Sequence, residues 1–124
     1  MPYWKVTTDL GDNGGTSVVV ESLAKVVYSK NEYVSAPQWL AEKGYHLTVF
    51  TSLFAARNFK SPEDVLWECE VVGLKDELPP SMSPYWVSQG CVSARYVSSY
   101  WPPDTAMAEQ VMLKRRIEWV THFV

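Results

Sequence analysis

GYHLTVFTSLFAARNFKSPEDVLWECEVVG, residues 44–73, holds the densest run of folding signals in the chain. Gly44 stops whatever precedes it, and Tyr45, Leu47 and Val49 then alternate with His46, Thr48 and Phe50 as a half-buried strand requires. Ser52 is placed to cap a short helix whose Leu53, Ala56 and Phe59 line one face. Ser61-Pro62-Glu63-Asp64 turns the chain into a second strand. In that strand Val65, Trp67, Cys69 and Val71 form an apolar face, with Glu68 and Glu70 opposite. Strand, short helix, turn and strand in thirty residues predict a mixed domain.

Working outward, SAPQWLAEKG (residues 35–44) has the punctuation of a two-turn helix. Ser35 and Gln38 match the reciprocal capping box, Pro37 suits the first turn, and Gly44 closes the end. Upstream, residues 3–8, 16–20 and 24–28 are β-branched and aromatic, and predict three strands in a meander. The loop DLGDNGG (residues 9–15) is a hairpin connection; without a following Gly-Lys-Ser/Thr it has no phosphate-loop ending. Downstream, LPPSMSP reads as a surface loop, and residues 85–87 and 92–97 are weak strand candidates. Residues 104–110 favour a short helix by composition, and residues 111–122 a final strand. Together these elements predict one α+β domain over residues 1–124, mainly antiparallel sheet with two or three short helices.

With 124 residues, 47% hydrophobic and 20% charged, the chain is long and apolar enough to bury its own core. A net charge of −3 argues against a nucleic-acid partner, which normally selects a basic surface. There is no basic-then-apolar leader at the start and no apolar run of membrane-spanning length, so a cytoplasmic protein is expected. Cys69 and Cys91 lack metal-ligand spacing; Cys69, inside an apolar strand, suits a buried free thiol, with a disulfide to Cys91 the alternative. Six tryptophans and seven tyrosines exceed the needs of so small a core, which points to rings in a pocket or an interface.

Few residues suggest catalysis. Only His46 and His122 are present, with no HxH, HExxH or Cys/His grouping, so no metal site is expected, and no motif calls for a cofactor. No serine sits in a Gly-x-Ser-x-Gly elbow. The catalytic candidates are His46 as a general base, and Glu68 with Glu70, whose spacing puts both carboxylates on one side of a strand. For binding, YVSSYWPP (residues 96–103) holds Tyr96, Tyr100 and Trp101 beside rigid prolines, a platform for stacking. Arg57, Arg95, Lys114 and Arg116 are the cations that could meet an anionic ligand.

Gly44-Tyr45-His46-Leu47-x-Val49-Phe50, then Ala55-Ala56-x-x-Phe59, then Val65 to Val71 resembles a unit of ADP-ribosyltransferase-like folds and of small phage and mobile-element proteins. The resemblance implies a related fold and, as an alternative function, a nucleotide-using transferase. That family's catalytic sets join a histidine or arginine on the first strand to a late glutamate. Here the first strand carries Lys5, and Glu109 and Glu118 are the late glutamates. The leading expectation is a non-catalytic accessory module that binds a small anionic ligand or a protein partner. A self-associating protein, such as a homodimer, is the further alternative.

Overall fold

The structure, a computed structural model, describes residues 2–18, 25–78 and 101–117. In chain order these form β1 (Tyr3–Thr7), β2 (Gly14–Thr16), β3 (Val27–Ser29), β4 (Tyr33–Ser35), α1 (Gln38–Ala41), β5 (Leu47–Phe50), α2 (Leu53–Phe59), β6 (Val65–Leu74) and β7 (Thr105–Arg116). Strands hold 45% of the described residues and helices 12%, so the fold is mostly β and the α+β expectation is corrected. The cause lies in two segments whose helical signals lose to strand pairing.

The larger correction concerns residues 104–110. Asp104 takes a left-handed φ of 62°, a turn conformation that short polar side chains tolerate, and the chain leaves it extended. Thr105 to Ala108 then pair with β5, and Ala108 onward with β6, so the segment is the start of β7 and not a helix. Ladders on both edges outweigh the weak helix preference of Ala, Met, Glu and Gln. The second correction is at α1. It is a single turn capped by Pro37 with no side-chain cap bond, because Ser35 is already paired in β4. Gln38 donates instead to the Glu42 carboxylate at 3.1 Å.

All strand pairings among the described residues are antiparallel. Strands β1, β5, β7 and β6 close on themselves as a four-stranded barrel, because β6 pairs with both β1 and β7. Strand β4 lies along β7 beyond the end of β5. Strands β2 and β3 form a ribbon of their own, tied to β1 where the Thr8 N–H donates to the Thr16 carbonyl at 2.9 Å. The expected three-strand meander is thus replaced by a hairpin ribbon folded against the barrel.

Alternation divides the apolar residues into two clusters. Leu47, Val49, Val65, Trp67, Cys69, Ala108, Val111 and Leu113 fill the barrel together with Val26 and Tyr28 from the ribbon. Outside it, α2 lays Ala55 and Ala56 on Val6, Phe50 and Leu66. The α2 cap is as the sequence predicts: the Ser52 hydroxyl accepts from the Ala55 N–H at 3.0 Å. One buried polar thread links β6 to the end of β1, beneath the ribbon. The Trp67 indole N–H donates to the Thr7 hydroxyl at 2.9 Å, and that hydroxyl donates to the Thr8 carbonyl at 2.8 Å. Gly15 crosses directly above, and a methyl group there would collide with Thr7 and the Thr8 carbonyl.

Candidate functional site

Strands β1 and β5 meet at one register pair, Trp4 with Phe50, and diverge beyond it. Lys5 stands at this seam. Alternation along β1 sends Trp4 and Val6 outward to α2, so Lys5 goes inward with Tyr3 and Thr7. Its ammonium bridges the seam, donating to the Thr48 carbonyl at 2.6 Å, with the Thr48 hydroxyl at 3.4 Å. The Tyr28 ring lies alongside, its centroid 5.3 Å from Nζ. Lys5 is 7% exposed. Burial pulls its pKa down to about 8, opposed by the neighbouring Cys69.

A cavity of about 70 Å³, partly open to solvent, is built around this seam. Leu40 of α1, Tyr45, His46 and Phe50 form part of its wall, and Trp101 and Pro102 approach from the segment leading into β7. No aspartate or glutamate is among its described lining residues, so among the described residues Lys5 is a buried cation with no carboxylate partner. Tyr28 adds a second uncompensated group. Its hydroxyl is buried and finds no hydrogen bond among the described residues; Ser17 is close enough to favour its ionised form slightly, but lies outside bonding geometry. Burial dominates and raises the phenol well above its ordinary value. Burial likewise pushes the free Cys69 thiol up to about 12, with Lys5 opposing. The site can therefore offer a cation to a small acceptor-rich molecule, next to a buried hydroxyl with no hydrogen bond among the described residues.

The sequence candidates are distributed over the molecule. His46 and Trp101 share this cavity. Glu68 and Glu70 face outward from β6: Glu68 pairs with Arg115 at 2.8 Å, and Glu70 accepts a long bond of 3.5 Å from the Tyr33 hydroxyl. They are not brought to His46. Arg57 lies in a separate groove with Lys60 and Ser61. Arg116 binds the Asp9 carboxylate at 3.1 Å and the Gly11 carbonyl at 3.3 Å. The Gly11 N–H, and then Arg116, hold the Asp9 carboxyl below its usual range. Lys114 is exposed on β7. Tyr96, Tyr100, Arg95, Cys91, Glu118 and His122 lie outside the described residues.

Reasoning from sequence named Lys5 only for standing where another family carries a different residue. A signal was present: YWKVT places one lysine on the inward phase of an otherwise apolar and β-branched strand. Tyr28 gave no signal of its own, since its burial depends on the ribbon folding over the barrel. Comparison with known proteins returns no matching family model, no matching curated protein and no matching solved structure. Among the described residues no group of three or more His, Cys, Asp or Glu could hold a metal, and no helix is long and apolar enough to cross a membrane.

Proposed function

We propose that the protein is a cytoplasmic binding module that takes a small anionic ligand into the cavity at the β1–β5 seam. The observation that carries this reading is Lys5, a buried cation on an apolar wall with no carboxylate beside it among the described residues. Buried charges are normally paired, and a lone one costs several kcal/mol less once an anion arrives. Cavity size narrows the ligand class. At about 70 Å³ the space is several times the ~10–15 Å³ that one water needs, which suits a molecule of a few heavy atoms. The cytoplasmic assignment draws support from Cys69, a free thiol in a core strand.

The test is a titration of isotope-labelled protein with acetate, followed by NMR. Saturating shifts at the amides of Lys5, Tyr28 and Thr48 are expected, and Lys5→Met, which keeps the side-chain bulk without the charge, should weaken binding at least about tenfold. Equal affinity in Lys5→Met would remove Lys5 from the ligand site and with it this reading.

A further inference from the structure

We infer that Lys5 captures carbonyl compounds, and that the cavity takes a small aldehyde or oxo acid as an imine on its side-chain nitrogen. This deepens the anion reading above and rests on it. The geometry has three parts. Lys5 is the only amine lining the cavity among the described residues, and it is fixed there by the Thr48 carbonyl at 2.6 Å and the Tyr28 ring. Among the described residues no carboxylate lines the space to stabilise its charged form, so the neutral amine, which is the nucleophile, makes up a larger share than in an exposed lysine. The third part is Tyr28, a lining residue whose buried hydroxyl lacks a hydrogen bond among the described residues. Buried polar groups of this kind are rare and call for a partner. An oxygen of the captured molecule supplies one.

The step balances without any further reactant. The lone pair of the neutral Lys5 amine forms a C–N bond to the carbonyl carbon while the C=O π pair moves to oxygen. One N–H proton passes to that oxygen, giving a carbinolamine. The second N–H proton leaves with the hydroxyl as water, and the C=N bond remains. Apolar surroundings such as Val49 and Phe50 limit the water available to reverse the reaction.

Glyoxylate with cyanoborohydride tests this directly, since hydride reduction of the imine leaves a stable carboxymethyl group that peptide mass spectrometry locates. In the folded protein Lys5 should be labelled roughly tenfold faster than Lys25, Lys30, Lys43, Lys60, Lys75 and Lys114, with the advantage lost in urea. Labelling of Lys5 no faster than those lysines overturns the inference. Acetate, which has no reactive carbonyl, separates the two claims. If acetate binds and Lys5 is not preferentially labelled, imine capture alone falls. If Lys5 is labelled and acetate does not bind, the anion reading alone falls. If neither happens, both are gone.

Discussion

Thr7 shows how much a single side chain can hold in a fold of this size. It is fully buried, and its hydroxyl serves the Trp67 indole N–H on one side and the Thr8 carbonyl on the other. Thr7→Val preserves shape while leaving the indole N–H unsatisfied inside the barrel. The expected loss is about 1–3 kcal/mol in urea unfolding, with little change in the slope. Thr7 was legible as a strand residue, but its partner sixty positions away was not. Lys5 is the same lesson in a charged residue. Its inward phase could be read from YWKVT, whereas its isolation depends on which groups the fold leaves off the cavity wall.

At the scale of elements, the β6–β7 pairing explains why residues 104–117 could not be read by periodicity. Glu68 stands opposite Arg115 and Cys69 opposite Leu113, so Lys114 is an extra residue, a β-bulge. Past it the phase is shifted: Arg115 turns outward to Glu68, and Ile117 joins the outer cluster beside Leu66. The inward set also changes from Ala106 and Ala108 to Val111 and Leu113 along the same strand. A period-two test fails on a strand that changes phase, and the helical pattern then fits by accident. By contrast, β5, α2 and β6 up to Cys69 keep one phase each, and those elements were readable. The bulge predicts an asymmetry: Lys114→Ala should change stability by less than about 0.5 kcal/mol. Deleting Lys114 removes the bulge and keeps Arg115 opposite Glu68, so unfolding should stay cooperative by circular dichroism. Deleting Met112 from the regular part of the ladder instead shifts Leu113 out of the inward phase and should abolish cooperativity.

For the whole molecule, three buried groups set how stability depends on pH. Lys5 titrates near 8 when folded and near 10.4 when unfolded, so between those values the unfolded chain holds more protons and stability rises with pH. Below about 8 both states are charged and the burial cost is felt in full. Cys69 acts in the opposite sense. Its thiol keeps its proton up to about 12 when folded and loses it near 8.5–9 when unfolded, so stability falls above that range, and Tyr28 adds to the fall above about 10. The expected profile is a net rise of about 0.5 kcal/mol from pH 8 to 9, the Lys5 gain partly offset by Cys69, followed by a turnover. In Lys5→Met the rise should vanish, with stability at pH 7 higher by on the order of 1–3 kcal/mol. Urea midpoints at pH 7, 8, 9 and 10 would check both, and a wild-type curve flat across this range would contradict the burial of the amine. The closed ring itself was not legible, because it rests on β6 meeting both β1 and β7, and no local pattern reports a pairing between distant strands.

Ring closure also sets an order in time. Strand β7 is the last described in the chain, yet it borders β4, β5 and β6. While the chain is being synthesised, every earlier strand must wait for residues 105–116 before the barrel can seal. Until then the seam has no Trp101, Pro102 or Thr105 beside it, and Lys5 is an ordinary, hydrated lysine. The chemistry proposed for its nitrogen therefore begins with the arrival of β7, so that a nascent chain short of it carries an inert amine and only a chain that has added β7 carries a reactive one.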